Sequence, residues 1–388
     1  MDATLRHRQK HRSAILFAAG VFALLVLAFL VHVRKDMSDF GVCVQAGRRV
    51  LDGETLYRVS DGHLQFKYAP VSACVFIPFA LLPWKTAQAV WFVCQVVLLL
   101  AGGRLAYRLI PGPRKSPWIL AGLGALAGIK FLGREIELGQ VNALILFLLL
   151  AAAGGFLRKK DALVGALWCV SLVFKPYALI LLPYFLWKKR FRPLGFGMAG
   201  LAAGLILPAV VYGWSGNLVV LKEWAVSLTR STRGLLAVGD NASLFALSAK
   251  SFGADRTEIA LVSTLAAVAV LGILFLLIIG QGRRKGLEKP ESLEFVYLLA
   301  CIPLLSPLGW SYNYLYGIPA VFILLSVLPR FSTIWRISAA LNLIILGVSI
   351  QEVLGRPLFL FYTQHALVAV QFIGVLAFLA AARFRKWA

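Results

Sequence analysis

The chain has 388 residues, 60% of them hydrophobic and only 15% charged, with a mean hydropathy of +0.80 and a formal net charge of +23. A water-soluble domain of this length cannot hide so much apolar surface, so lipid is the solvent for most of it. The basic residues form short clusters between apolar runs, a distribution that reads as membrane topology and anionic head groups and argues against a nucleic-acid groove.

Backbone polar groups cannot stay unpaired in lipid, so each long apolar run is predicted as a helix. The first covers 14–33, behind the basic stretch Arg6–Arg12. Its length of about 20 residues spans about 30 Å, and without a small-residue cleavage site it reads as a retained helix rather than a signal peptide. Residues 34–86 then form a first outer loop, ending in a proline-interrupted apolar piece (Pro70, Pro78, Pro83) predicted to dip into the membrane or lie along it. In this loop Asp39 reads two ways. A carboxylate just outside the bilayer under an apolar rim suits a general base, and the same residue suits the N-cap of a helix over Phe40–Leu51. Lys67 and Tyr68 stand where the chain re-enters the apolar layer. The lysine is placed either to hold a lipid-linked phosphate or to snorkel to head groups, and the tyrosine to meet a sugar.

Further spans are predicted over 87–109, 118–133 and 139–157. The densest polar cluster, Gly133 to Asn142, lies between the last two. Within it Arg134 is a phosphate candidate flanked by apolar helices. Gln140 and Asn142 open the next helix, where amides and the positive dipole end favour anions and sugar hydroxyls, with ordinary capping as the alternative. The apolar stretch 162–187 has basic clusters at both ends (Arg158–Lys160 and Lys188–Arg192), so it must cross and return as two short legs, 162–174 and 176–187. Proline removes a donor and disfavours helix in the residue before it, which puts the break at Lys175-Pro176. A lysine within so apolar a run is costly, and it points to a cavity or an anionic ligand.

A span over 194–213 leads to a second long outer segment, 214–258, with Asp240-Asn241 near its middle; the remaining spans are 259–280, 293–308, 311–328, 337–355 and 363–383. Trp310 and Tyr312 lie at an outer helix start, either in an interfacial aromatic belt or as sugar-stacking faces. The chain is thus expected to be all-α, one transmembrane domain over 1–388 with about twelve transmembrane helices. More than half of its 40 Lys and Arg residues fall in the short segments that become cytoplasmic if the N-terminus is inside, while most acidic residues fall on the other side. Both termini are therefore expected in the cytoplasm, with the protein in the inner (plasma) membrane.

The five cysteines are scattered without Cys-x-x-Cys spacing and read as buried apolar side chains, giving no metal site or disulfide framework. No phosphate-binding loop, dinucleotide fingerprint or His-Glu-x-x-His motif occurs, so no cofactor is expected and any substrate is lipid-soluble or arrives from outside. Besides an enzyme, a flippase or transporter of a lipid-linked sugar fits the helices and outer cations. It calls for charges along a path through both leaflets, whereas the polar clusters here gather at one face.

The Asp39-Phe40 pair, Gly53-Glu54-Thr55-Leu56-Tyr57, Phe66-Lys67-Tyr68-Ala69-Pro70, Leu81-Leu82-Pro83, Leu138-Gly139-Gln140-Val141-Asn142, Phe174-Lys175-Pro176-Tyr177 and Ser306-Pro307 with Trp310 occur in an order that resembles glycosyltransferase family 87, of the GT-C class, over roughly residues 38–315. The resemblance implies a multispanning helical core with its active site at the outer membrane surface. It implies transfer of mannose, arabinofuranose or a similar sugar from a polyprenyl-phosphate donor to a lipid or glycan acceptor, without a nucleotide. The family's catalytic acid falls on Asp39. Read from the residues themselves, the donor phosphate would be held by cations chosen from Lys67, Arg134 and Lys175, and sugar or acceptor by Tyr68, Gln140, Asn142, Asn241, Trp310 and Tyr312. Many members carry a histidine where this sequence has Tyr312, so that role does not carry over.

Overall fold

The computed structural model describes residues 26–111, 115–253, 256–284 and 289–382, and among them there is no β-strand. The predicted first span 14–33 lies mostly outside the described residues, which begin in helix at 26–31. The basic N-terminal stretch and the C-terminal tail are outside them too.

The segment 34–86, expected as a first outer loop, is largely helical. Helix α1 (Ser38–Leu51) begins two residues earlier than expected, and its N-cap is Met37 in a left-handed conformation. Asp39 thus sits in the first turn and does not cap. The buried face of α1 carries Phe40, Cys43, Ala46, Gly47 and Val50. It packs on α2 (Pro70–Ala80), the proline-rich piece, which forms a short broken helix. A Cβ on Gly47 would lie 2.7 Å from the Phe76 backbone, so glycine is what lets the two helices approach. Arg49, buried at the end of α1, donates to both carboxylate oxygens of Asp61 (2.6 and 2.9 Å) and to the Leu56 carbonyl (3.2 Å), tying the loop down.

Next come α3 (Trp84–Leu109), α4 (Pro117–Ala127), α5 (Ile129–Leu138) and α6 (Asn142–Leu157). The expected span 118–133 is not continuous. It breaks at Gly128, where a Cβ would strike Ile318 Cδ1 at 2.2 Å, and α5 then meets α6 at 118°. The hairpin predicted over 162–187 folds as α7 (Asp161–Phe174) and α8 (Pro176–Trp187), with Lys175 extended between them (φ −144°, ψ 131°). Helix α9 (Phe191–Ile206) turns by 91° into α10 (Ala209–Arg233), which converts most of the second outer segment into helix together with α11 (Leu244–Phe252). The remaining elements are α12 (Thr257–Arg284), α13 (Pro290–Leu305), α14 (Ser311–Arg330), α15 (Thr333–Val348), α16 (Gln351–Gln364) and α17 (Leu367–Ala381). The span expected over 337–355 ends at Val348, where α15 bends by 98° into α16.

Among the described residues three helices, α3, α12 and α14, are long and apolar enough to cross a membrane, and up to six spans result if each bent pair counts as one. Several shorter apolar helices accompany them. The most apolar stretch of α14 is 78% buried within the protein against 17% for α12, which puts α14 in the middle of the bundle and α12 at its edge, facing lipid. Helix α6 is buried on nearly every side, packing on α3 and α7. The described residues are all-helical with several apolar helices, which is consistent with a membrane protein.

Candidate active site

The start of α1, the segment before α2, the α5–α6 turn, the α7–α8 break and the loop before α14 converge on a cavity of about 230 Å³. That is a little below the usual range of ligand sites, about 300–1,000 Å³. Asp39, Lys67, Tyr68, Gln140, Lys175, Trp310 and Tyr312 all line it.

Asp39 is aimed by its neighbour. Phe40 is fully buried, its ring stacked between Trp84 (5.8 Å) and Trp91 (5.3 Å). It rests against Gly139, whose left-handed φ of +67° closes α5 and turns the chain into Gln140. Two further bonds hold this turn: Met37 N–H donates to the Glu137 carbonyl (2.8 Å) and Trp91 Nε1 to the Gly139 carbonyl (2.9 Å). Gln140 Nε2 then donates to the Asp39 carboxylate. Burial pushes the Asp39 carboxyl above the usual carboxylate range, opposed by that hydrogen bond and by the positive charge of Lys175.

Lys175 is only 7% exposed. Its ammonium donates to Gln140 Oε1 (3.2 Å) and Asn142 Oδ1 (2.8 Å), and it lies 5.2–5.9 Å from the ring centres of Tyr312, Tyr177 and Tyr68. Two of its three N–H groups are thereby committed to amide oxygens, and the aromatic faces offset part of its desolvation. Asn142 itself is fully buried behind the lysine, where its amide NH2 donates to Glu135 (2.8 Å) and its oxygen also accepts from Tyr316 (2.9 Å). It supports the site from behind rather than lining the cavity.

Lys67, also on the cavity wall, is half-buried, and burial lowers its pKa, with Asp39 opposing. Its backbone is pinned on both sides. Trp224 Nε1 donates to the Lys67 carbonyl (3.0 Å), Tyr57 hydroxyl to the Tyr68 carbonyl (2.6 Å), and Ala69 N–H to the Val173 carbonyl (2.9 Å). The last bond joins the strip carrying Lys67 to the strip carrying Lys175.

Two residues proposed from the sequence are placed elsewhere. Arg134 points outward, 45% exposed, and pairs with Glu137 at 2.9 Å one turn along α5. Asn241 is fully buried with its amide committed to backbone: Nδ2 donates to the Leu235, Leu236 and Pro307 carbonyls, and Oδ1 accepts from Ser243 and Gly309 N–H. It fastens the 306–310 loop that carries Trp310 and does not line the cavity. Cys43, His63 and Gln65 line the cavity without having been singled out. Cys43 was readable, since it lies four residues after Asp39 on one face of α1. Glu135 was readable in the same way, an acid on the apolar stripe Phe131–Glu135–Leu138 of α5.

The cavity thus sets a half-buried carboxylate beside two cations, with amides fixing their geometry and aromatic rings around them. It has the parts to remove a proton and to receive a negative charge within one small volume. A sequence profile of glycosyltransferase family 87 matches residues 66–307, a stretch that begins beyond Asp39. A polyprenol-phosphate-mannose-dependent alpha-(1-2)-phosphatidylinositol mannoside mannosyltransferase of Mycolicibacterium smegmatis is 25% identical over 368 residues, covering 84% of this chain and 81% of the relative. A polyprenol-phosphate-mannose-dependent alpha-(1-2)-phosphatidylinositol pentamannoside mannosyltransferase of Mycobacterium tuberculosis is 25% identical over 331 residues, covering 80% and 72%.

Proposed function

Because the chain belongs to glycosyltransferase family 87, we propose that it moves a monosaccharide from a polyprenyl-phosphate donor to a lipid or glycan acceptor at the outer face of the plasma membrane. Mannose is the first sugar to test, since both relatives are named for polyprenol-phosphate-mannose. The protein crosses the membrane about twelve times with both termini cytoplasmic. The short basic loops around Lys159 and Lys189 then face the cytoplasm, and Lys175, at the far end of α7, faces the outer mouth.

Asp39 takes the proton of an acceptor hydroxyl. The acceptor oxygen bonds to the anomeric carbon from the side opposite the phosphate, the anomeric carbon–oxygen bond to phosphate breaks, and its electron pair leaves with the phosphate. The sugar inverts. Lys175 and Lys67 receive the charge on the departing polyprenyl phosphate in a site largely shielded from water, where such stabilisation is strongest. Gln140 orients the base, Asn142 supports Lys175, and Tyr68, Trp310 and Tyr312 offer faces to the sugar. Arg134 acts only through space, by favouring the ionised form of Asp39. Burying a base beside cations also keeps competing water away from the reacting carbon.

One observation carries this reading: Asp39 and Lys175 line the same cavity and hydrogen-bond to opposite ends of a single amide, Gln140. The purified protein is incubated with polyprenyl-phosphate mannose and a membrane-lipid extract, and new glycolipids are followed by mass spectrometry. Asp39→Asn is expected to insert and fold but to lose transfer by about 10²-fold or more. Full activity in that variant removes Asp39 from the chemistry.

A further inference from the structure

Glu135 lies outside the cavity lining and is wholly buried, yet it ends a continuous chain of polar groups: Asp39, Gln140, Lys175, Asn142, Glu135. The order is carboxylate, amide, ammonium, amide, carboxylate. Its polarity is forced, because an ammonium only donates. Both amide oxygens must therefore face Lys175, which turns both NH2 groups outward and demands an acceptor at each end. Asp39 is one acceptor and Glu135 the other, at 2.8 Å from Asn142 Nδ2. The second oxygen of Glu135 accepts from Ala143 N–H at 2.7 Å, in the first turn of α6.

We propose that Glu135 is a positioning residue for the donor phosphate, acting through Asn142 to hold the Lys175 ammonium aimed into the cavity. The proposal rests on the donor reading above and deepens it. A buried ammonium needs fixed acceptors around it, and Asp39 changes charge in a cycle in which it takes up a proton. Glu135 touches no substrate, so its hydrogen bond with Asn142 Nδ2 stays in place while the charge of Asp39 changes. Tyr316 supports the arrangement by donating to the same Asn142 oxygen that Lys175 uses. A simpler role, capping the start of α6 through Ala143, makes a different prediction. Glutamine keeps an oxygen for Ala143 N–H and would serve as well. However, Glu135→Gln also sets an NH2 against the Asn142 NH2. The Asn142 amide then turns over and presents donors to a lysine that has only donors.

Affinity for a short-chain polyprenyl phosphate in detergent is read from quenching of tryptophan fluorescence, Trp310 being on the cavity wall. Hydrogen-bond partners that orient metal-binding side chains carry roughly 10–100-fold in affinity, and by the same logic Glu135→Gln is expected to weaken phosphate binding by about that factor. Adding Asn142→Asp restores an acceptor and a negative charge beside Lys175, and the double variant is expected to recover most of the loss. Wild-type affinity in Glu135→Gln, or a folded double variant that binds as weakly as the single one, overturns the proposal. If the single variant does not fold, the double variant decides alone. Failure of the unmodified protein to bind polyprenyl phosphate overturns the donor reading itself and the role of Glu135 with it.

Discussion

Replacing Gly139 by alanine tests how the base is aimed without touching the base. At φ +67° a Cβ brings a backbone penalty of about 1–2 kcal/mol. The new atom would also lie 2.6 Å from Phe40 Cβ and 3.2 Å from Met37 Cε. Overpacking of that kind costs a further 1–3 kcal/mol or so, for a total of about 2–5 kcal/mol. Phe40 cannot swing aside, being wedged between two tryptophans, so the start of α1 must move. Asp39 is the adjacent residue, and its bond to Gln140 breaks with that movement. Gly139→Ala is therefore expected to lose kcat/KM by about 10²-fold, as Asp39→Asn does, and to unfold at lower denaturant. Gly53→Ala is the matched control. Its φ is +66° with nothing within 4 Å of a Cβ, so only the backbone penalty applies and transfer should persist. Both variants are assayed in detergent for unfolding and for steady-state transfer. Equal activity in the two would refute the claim that the Gly139–Phe40 contact aims the carboxylate.

The raised pKa of Asp39 sets a pH dependence. The base works deprotonated, so transfer should fall with decreasing pH through a value above that of an exposed aspartate, and the acid limb should vanish from the residual rate of Asp39→Asn. Because the folded state binds this proton more tightly than the unfolded one, the associated stability is complete below the ordinary value of 3.8 and is lost as pH rises through the folded pKa. At neutral pH Asp39→Asn should therefore unfold no earlier than the wild type. For Asn241, whose amide serves five backbone groups, Asn241→Leu should cost at least about 2 kcal/mol in unfolding experiments, with transfer falling only as folded protein is lost. Lost transfer at full stability would instead return Asn241 to the substrate.

The sequence carried the helical class, the break at Lys175-Pro176 and the grouping of Asp39, Lys67, Gln140 and Lys175, because each has a local signal: apolar run length, a proline, and polar residues beside apolar runs. The three sharp bends were not legible. Apolar runs report that a segment is buried but not the direction in which it leaves a turn, and the break at Gly128 answers to Ile318, 190 residues away in the chain. Arg134 and Asn241 show a second limit. A polar residue near a membrane mouth looks like a ligand holder until its partners are known. Arg134 finds Glu137 at helical spacing, a pairing the sequence does contain, whereas Asn241 finds backbone carbonyls that no pattern of side chains foretells.

The bond from Ala69 N–H to the Val173 carbonyl has a consequence for how such a mouth can diversify. It is made entirely of main chain, so almost any exchange of side chains leaves it standing. The segment around His63, at the opening, can be rewritten for a different acceptor. The gap between the two ammonium-bearing strips meanwhile stays constant, like the jaws of a gauge clamped at one setting.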